Sequence, residues 1–297
     1  MSRRVSYGGG VSAGQVARAR TYWWEWDNAT ARRAQSVSAD DVGSIGYQQD
    51  IALAYQLVGV SPSRWAPLAD PAMGPPRETV VVPQSTTPTN VGLAMVVISG
   101  TATGRSQSTT NRSTQVARMQ VLTAAGAGSS AVYRSQTSVL AYASSGGIRR
   151  RFVGVPGTVS ASMRWYMGVM LGTFTGNVDP DTATHAVGIG CSGAADVNLQ
   201  LYHNDGTGTC TKVDLGAAFP AATADTGYQL DLYTFDGSSW GYNVRNLNTD
   251  DEVSGDLSAD IPAPNNVLLD MYYSSNNVDA SAVSLDFSSL QVWQRLV

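Results

Sequence analysis

Residues that could act as nucleophiles, bases or metal ligands are concentrated in one stretch of the chain. The segment from Thr173 to Pro220 holds both histidines, His185 and His203, both cysteines and the only lysine. A metal centre needs three or four converging ligands, and a catalytic triad needs a nucleophile positioned beside its base. The two histidines do not share the spacing of a metal-binding pair. We therefore predict structural roles for both histidines and no catalytic residue.

The acidic side chains of this stretch suggest a second possible chemistry. Asp179, Asp181 and Asp205 could line a loop-end calcium site, with further oxygens from Asn177 or Asn204. Calcium needs six to eight oxygen ligands, and the same strings are ordinary turn sequences. Glycoside cleavage would need a matched pair of carboxylates, and no such pair can be singled out among the many acids. We predict that the protein is not an enzyme and holds no metal and no cofactor.

Aromatic side chains are the more promising contact residues. Four aromatics fall within five residues near the start of the chain, more than a small module could bury alone. Either they pack on both faces of a strand, or they anchor an interface, since Trp and Tyr supply large contact areas at low entropic cost. The two roles are compatible in an oligomer. The candidate interface residues are Tyr22, Trp23, Trp24, Trp26 and Trp65.

A second group of candidate contact residues lies near the other end of the chain. Tyr272 and Tyr273 are adjacent, and neighbouring residues of a strand point to opposite faces of a sheet. One of the two tyrosines is therefore expected to face outward. Asn276 and Asn277 follow in a polar turn, and their amides suit hydrogen bonding to sugar hydroxyls. These four residues are the candidates for contact with a receptor, either a glycan or another subunit.

The pattern of apolar residues indicates an all-β chain. Residues 197–203 alternate between apolar and polar, which is the period of a strand with one buried face. The Asn204-Asp205-Gly206 string that follows favours a hairpin turn, and residues 227–247 have the pattern of a second hairpin. From Val91 onward such runs recur at short intervals with turn signals between them, as is typical of a β-sandwich or barrel.

The last predicted strand contains a change of phase. The apolar residues of 283–287 and those of 290–292 alternate in opposite phases. A slip of one residue moves every later side chain to the other face of a sheet. A β-bulge at Ser288-Ser289 would return all these apolar residues to the core.

Four segments of the chain differ in composition. Residues 1–20 are polar and glycine-rich and are interpreted as a flexible arm, and residues 21–70 form an N-terminal β module with a meander between Asp41 and Leu68. Residues 71–90 are rich in proline, which favours an extended linker, within which Val80–Val82 could add one edge strand. Residues 91–297 are predicted to form an antiparallel β-sandwich of jelly-roll or lectin-like type. The meander is too small to stand alone, so we expect it to pack on symmetry mates or on a neighbouring module.

Charge is distributed unevenly along the chain. Residues 1–164 hold 16 arginines and 7 acids, a net charge of +9, whereas residues 165–297 hold 3 basic residues and 16 acids, a net charge of −13. Either the modules simply differ, or the basic half docks on an acidic surface. The arginines are scattered apart from the run Arg149–Arg151, and no recognisable DNA-binding module accompanies them, so we predict no nucleic-acid partner. The run lies at a strand start, and we expect one of its arginines to point into an interface.

Two cysteines in a chain of 297 residues do not make a disulfide scaffold. Cys191 and Cys210 are predicted to be free, half-buried thiols, and a pairing across neighbouring strands stays open. The first residues lack the apolar run of a signal peptide, and no apolar stretch is long enough to span a membrane. We therefore predict no membrane insertion.

Two parts of the sequence resemble proteins of tailed-bacteriophage particles. The C-terminal β-sandwich domain of tail fibre and minor structural proteins is similar to about Ser162–Val297, in particular to VNLQLYHNDGTGTCTKVDLGAAFP and TGYQLDLYTFDGSSWGYNVRNLNT. A small β module of phage fibre and appendage proteins resembles DDVGSIGYQQDIALAYQLVGVSPSRWAPL. Neither family has a catalytic residue set that could be transferred to this chain.

The resemblance implies a structural protein of the virion, a tail fibre or appendage subunit that is assembled in the host cytoplasm. Its N-terminal part would attach to other virion proteins, and its sandwich would recognise the host surface, for example a glycan. Two alternatives stay open: a head fibre or capsid decoration protein, and a carbohydrate-binding or glycan-cleaving protein. The position on the particle and the receptor are not predicted.

We expect the protein to be a homotrimer, as the resemblance implies and as the aromatic cluster and the small meander support. Cyclic symmetry would supply partners for an N-terminal module that cannot bury its own aromatics. Sedimentation velocity on the full chain should therefore give a trimer, or insoluble material where the first 70 residues lack their partner. A stable, well-behaved monomer would contradict this prediction.

Overall fold

The computed structural model describes residues 3–5, 23–26, 31, 35–36, 38, 41, 45–48, 53–60, 63–67, 77–84, 87–90, 95–136, 148–234 and 238–294. The chain divides into two compact units, Met1–Pro76 and Arg77–Val297. Among the residues described, no helix is long and apolar enough to cross a membrane.

The first unit contains one five-stranded sheet. Its strands are β1 (Arg3–Val5), β2 (Trp23–Trp26), β3 (Ile45–Gln48), β4 (Leu53–Val60) and β5 (Ser63–Pro67), and they lie in this order. Strands β3, β4 and β5 are consecutive antiparallel neighbours, so the predicted meander is confirmed. Strands β2 and β3 run parallel, which requires a long connection between them. The chain between Trp26 and Ile45 is long enough to supply it.

The second unit is a sandwich of two antiparallel sheets, which confirms the predicted all-β fold class. Its strands are β6 (Arg77–Gln84), β7 (Thr87–Asn90), β8 (Met95–Ser99), β9 (Thr101–Arg105), β10 (Arg118–Leu122), β11 (Ser130–Ser135), β12 (Ile148–Thr158), β13 (Arg164–Met170), β14 (Ala186–Cys191), β15 (Gln200–Asn204), β16 (Thr211–Asp214), β17 (Tyr228–Thr234), β18 (Trp240–Asn246), β19 (Glu252–Leu257), β20 (Leu269–Ser275) and β21 (Ser284–Gln294). The nine-stranded sheet has the order β19-β18-β17-β12-β21-β10-β9, with β6 beside β21 and β7 beside β6. The seven-stranded sheet has the order β16-β15-β14-β13-β20-β11-β8.

Two predicted segments are corrected by the strand pairing. Arg3–Val5, within the arm predicted over residues 1–20, pairs with β2 as strand β1. Arg77–Gln84, within the linker predicted over residues 71–90, pairs with β21 and therefore belongs to the sandwich. The run of valines in β6 favours a strand, and the prolines of β6 and β7 are tolerated because this two-stranded extension lies at an edge.

The two predicted hairpins are present in the sandwich. Strands β15 and β16 pair antiparallel on either side of the Asn204-Asp205-Gly206 string, and β17 pairs antiparallel with β18. The inward side chains of both sheets form one apolar cluster between them. Tyr272 lies within it, with its ring centroid 5.1 Å from that of Phe287 and 5.8 Å from that of Phe152.

Strand β21 contains the bulge that its sequence predicts. Val153 of β12 pairs with Ser289, but the next residue, Gly154, pairs with Phe287, so that Ser288 is the extra residue. The apolar side chains on both sides of the bulge lie in the same buried cluster: Val283, Leu285, Phe287, Leu290 and Val292. The extra residue Ser288 therefore keeps the apolar residues on both sides of the phase change on the core face, and the predicted bulge is confirmed.

A buried ion pair joins the two sheets. Arg150 on β12 contacts Asp270 on β20 through its Nε atom, and both side chains are 1% exposed. Burial raises the pKa of Asp270, and the charge of Arg150 opposes that rise. One arginine of the run Arg149–Arg151, Arg150, therefore points into the space between the two sheets of the same chain.

Arginines that precede residue 165 pair with aspartates that follow it throughout the sandwich. The pairs are Arg105–Asp286, Arg112–Asp250, Arg118–Asp225, Arg149–Asp231, Arg150–Asp270, Arg151–Asp231 and Arg164–Asp179. Much of the charge asymmetry of the sequence is therefore neutralised within the molecule. Docking of the basic half on an acidic surface stays a prediction.

We expect the substitution Arg150→Met to lower the free energy of unfolding by about 3–5 kcal/mol, because it leaves the Asp270 carboxylate buried without a counter-charge. The double substitution Arg150→Met/Asp270→Leu should recover most of this loss, since it removes both charges. Urea denaturation at neutral pH measures both effects. A single variant as stable as the wild type would contradict the role assigned to the pair.

The loss in the Arg150→Met variant should shrink as the pH falls. Burial raises the pKa of Asp270 in the folded state, and Arg150 opposes that rise, so removal of Arg150 raises the folded-state pKa further. As the pH falls, the folded variant therefore binds a proton at Asp270 before the wild type does and regains stability relative to it. The matched control is Arg149→Met, whose guanidinium lies on the partly exposed outer face and whose loss should be much smaller.

Candidate functional site

The predicted interface aromatics lie in the first unit. Trp23, Trp24 and Trp26 are on β2, and Trp65 is on β5, where it is the register partner of Leu57. Tyr22 lies outside the described residues. The strand placement agrees with the sequence pattern, and the role of these residues in an oligomer contact stays a prediction.

Neither residue of the Tyr272-Tyr273 pair faces outward. Tyr272 is 2% exposed in the core between the sheets, and Tyr273 is 0% exposed on the opposite face of β20. The segment 171–185 covers that opposite face. The ring of Phe174 lies 4.5 Å from that of Tyr273, whose hydroxyl donates to the carbonyl of Val178 at 2.7 Å. The predicted outward tyrosine is therefore wrong, because a second apolar cluster covers this side of the sheet.

Asn276 is a structural residue rather than a receptor contact. Its side chain is fully buried. The Nδ2 atom donates to the carbonyls of Ala124 and Gly126 at 3.0 and 2.8 Å, and Oδ1 accepts from the N–H of Ser129 at 2.9 Å. These bonds join the turn after β20 to the loop before β11. Asn277 is half-buried in the same turn with a φ of 49°, a conformation that asparagine tolerates better than most residues.

The titratable residues of the segment 173–220 belong to separate local structures. The Nδ1 atom of His203 lies 2.9 Å from the carbonyl oxygen of Asp260. Asp179 caps the 3₁₀ turn formed by residues 180–182, and Asp205 accepts hydrogen bonds within its own turn. In the part of the chain that the structure describes, no three His, Cys, Asp or Glu side chains converge as metal ligands would.

Both cysteines are buried thiols, and the sequence also contains strings with the spacing of a nucleophile elbow. Cys191 and Cys210 are both free, and both are buried rather than half-buried. Burial raises the pKa of each thiol to about 12, so neither is a thiolate near neutral pH. Two Gly-x-Ser-x-Gly strings, the spacing of a nucleophile elbow, are present, at Gly10–Gly14 and at Gly237–Gly241. The first lies outside the described residues. In the second, Ser239 leads directly into strand β18, whereas a nucleophile elbow joins a strand to a helix.

The outer face of the nine-stranded sheet carries a groove of about 620 Å³, hereafter the outer groove. Its floor is formed by Val153 on β12 and by Ser288, Ser289 and Gln291 on β21. The bulge therefore lies in the floor, and bulges commonly re-aim side chains at functional sites. The hydroxyl of Ser288 is buried and has no hydrogen-bond partner among the described residues. Such a group calls for a specific explanation.

Two arginines held by one aspartate form part of the wall of the outer groove. Asp250 accepts from Nη1 of Arg112 and from Nη2 of Arg245, both at 2.7 Å. The hydrogen bond from Arg112, aided by Arg245, holds the pKa of Asp250 below its usual range. Asp250 has a φ of 66° in the turn between β18 and β19, which costs energy for a residue other than glycine. Val116 and Leu247 supply apolar wall surface.

A second arginine pair adjoins the outer groove beside a half-buried tryptophan. The guanidinium carbons of Arg149 and Arg151 lie 5.0 and 5.7 Å from the ring centroid of Trp293, a cation–π arrangement. Both arginines also bind Asp231, at 3.1 and 3.0 Å. Arg151 is the register partner of Gln291 in the groove floor. Polar, apolar and aromatic side chains are thus brought together on one rigid sheet face.

Reasoning from sequence did not identify the residues of this face as a site. Arg112 and Asp250 are distant in sequence, and they meet only because two separate segments lie over the same sheet. The change of phase at Ser288-Ser289 is the one local signal of the groove, and by itself it indicates a bulge and not a binding surface.

The comparisons with known proteins concern architecture. No family model matches the sequence, and no curated protein matches it. Among solved structures, a protein of unknown function from Shewanella oneidensis MR-1 is similar at 10% identity and a TM-score of 0.46, over 77% of this chain and 95% of that chain. Peanut lectin is similar at 10% identity and a TM-score of 0.41, over 70% and 99% of the two chains.

A carbohydrate esterase from the Shiga toxin-encoding bacteriophage phi24B is similar at 16% identity and a TM-score of 0.40, over 68% of this chain and 90% of that chain. At these identities and TM-scores, no function and no residue role transfers from any of the three proteins to this chain.

We expect Asn276→Ala to lower the free energy of unfolding by about 2–4 kcal/mol, because it removes three hydrogen bonds that join two loops, each worth about 1 kcal/mol. The matched control is Asn277→Gly, which should change stability by less than about 1 kcal/mol, since glycine readily adopts a positive φ. Thermal or urea denaturation measures both. Equal effects of the two substitutions would contradict the structural role of Asn276.

Proposed function

We propose that the sandwich is a carbohydrate-binding module and that the outer groove is its binding site. One observation carries this proposal: a concave groove on an open sheet face combines a few hydrogen-bonding side chains with apolar surface. Gln291 and Ser289 offer donors and acceptors, and Val153 offers an apolar contact. Ligand sites generally combine a concave apolar surface with a few convergent polar groups.

The strands that form the floor of the outer groove favour a binding site whose geometry is already fixed before the ligand binds. Its floor residues belong to β12 and β21, which are central, paired strands of the nine-stranded sheet. Sites built on strands hold their geometry more closely than sites built on loops. The opposite sheet is less suitable, because the segment 171–185 packs over part of its outer face.

The charge state of the groove supports binding rather than cleavage of a glycan. A glycosidase needs a carboxylic acid whose pKa is raised, so that it can protonate the leaving oxygen. The pKa of Asp250 is instead lowered, chiefly by the hydrogen bond from Arg112. At neutral pH this carboxyl is ionised and has no proton to give.

For the whole protein we propose the role that the sequence resemblance implies. It would be a structural subunit of a phage fibre or appendage, assembled as a homotrimer. The first unit would attach to other virion proteins, and the sandwich would bind a glycan of the host surface. The support for this wider role is the resemblance of Ser162–Val297 and of the module between Asp41 and Leu68 to such proteins.

We expect the full chain to bind at least one member of a panel of purified bacterial surface polysaccharides, and Gln291→Ala to weaken that binding about tenfold through loss of hydrogen bonds. The matched control is Gln107→Ala, an exposed glutamine that does not line the groove. Biolayer interferometry measures affinity, and a thermal melt verifies folding. Absence of binding to the whole panel, or binding insensitive to Gln291→Ala and to other groove substitutions, would overturn the proposal.

A further inference from the structure

The outer face of the nine-stranded sheet carries two clusters in which two arginines share one aspartate. Asp250 binds Arg112 and Arg245, and Asp231 binds Arg149 and Arg151. One carboxylate neutralises one guanidinium, so each cluster keeps one surplus positive charge. This surplus stands out in a protein whose formal net charge is −4.

The guanidinium groups keep capacity for a further partner. A guanidinium has five N–H donors, and Arg112 directs only Nη1 to Asp250. The Arg112 side chain is 64% exposed, and those of Arg149, Arg151 and Arg245 are partly exposed. An anionic oxygen group could therefore bind beside Asp250 without displacing it.

The neighbouring acids do not line the outer groove. Glu252, on the edge strand β19, is the register partner of Arg245 and accepts a hydrogen bond from Asn243. Asp286, farther along β21, is itself held by Arg105 and Arg118. The charged residues that line the groove are therefore two arginines and one aspartate, and its floor adds the uncharged hydrogen-bonding groups of Gln291 and Ser289.

We propose that the outer groove selects glycans that carry an anionic group, a carboxylate or a phosphate on a sugar ring. This inference rests on the proposed carbohydrate-binding function and specifies its ligand class. Arg112 and Arg245 bind the anionic group through charge-assisted hydrogen bonds, which are stronger than neutral ones. Gln291 and Ser289 bind ring hydroxyls, and Val153 contacts the apolar face of the sugar.

Isothermal titration calorimetry on the full chain tests this inference with three probes: oligogalacturonate, a neutral oligogalactan of the same length, and a mannose-6-phosphate oligosaccharide. We expect at least one anionic probe to bind about tenfold or more tightly than the neutral one. Its affinity should fall between about 0.02 and 0.2 M NaCl, because the contacts are partly exposed to solvent. The comparison of the two anionic probes identifies the group that is recognised.

The variant that isolates the charge is Arg112→Gln, which keeps a hydrogen-bonding side chain at an exposed position. It should weaken binding of the anionic probe about tenfold and leave the thermal melt unchanged. The control is Arg134→Gln, which removes an arginine from β11 in the other sheet and should leave the affinity unchanged.

The outcomes separate this inference from the proposed function. Equal binding of neutral and anionic probes, with no effect of Arg112→Gln, overturns the charge selectivity and leaves carbohydrate binding intact. Binding to a neutral surface polysaccharide and to none of the anionic probes also overturns it. Failure to bind any saccharide overturns both proposals together.

Discussion

Arg150 and Asp270 meet in the apolar space between the two sheets, and this contact constrains the packing around it. A buried ion pair adds little net stability compared with apolar residues of the same size, but one member alone is very costly. Strands β12 and β20 must therefore face each other with these two residues aligned. Because successive side chains of a strand point to opposite faces, Arg149 and Arg151 lie on the outer face of β12, where both bind Asp231. One buried contact thus also determines which arginines reach the surface.

The bulge in β21 links the core to the outer groove. Without the extra residue, Leu290 and Val292 would face outward, and Gln291 would point into the core. Ser288 lets the strand keep its apolar side chains inside while Gln291 and Trp293 remain on the outer face. The same bulge that keeps the apolar side chains in the core therefore places Gln291 in the floor of the outer groove, and this floor is built on central strands of the sheet.

Features that depend on local periodicity could be predicted from sequence, and features that depend on distant segments could not. The hairpins and the bulge at Ser288 follow from apolar alternation and turn chemistry, which are local. The burial of Tyr273 depends on the segment 171–185 folding back over the sheet, and alternation alone carries no information about such a cover. The composition of residues 71–90 indicated a linker, whereas the pairing of β6 with β21 is a long-range contact. The groove wall likewise needs Arg112 and Asp250, which no sequence pattern connects.

Strand β6 begins at Arg77, and its register partner on β21 is Gln294. The points at which the chain enters and leaves the sandwich are therefore side by side, one strand spacing apart. A domain whose two ends are adjacent can be inserted into a surface loop of another protein with little distortion of the recipient. The geometry of β6 and β21 is thus compatible with insertion of the whole sandwich, with its core and its outer groove, into a surface loop of another chain.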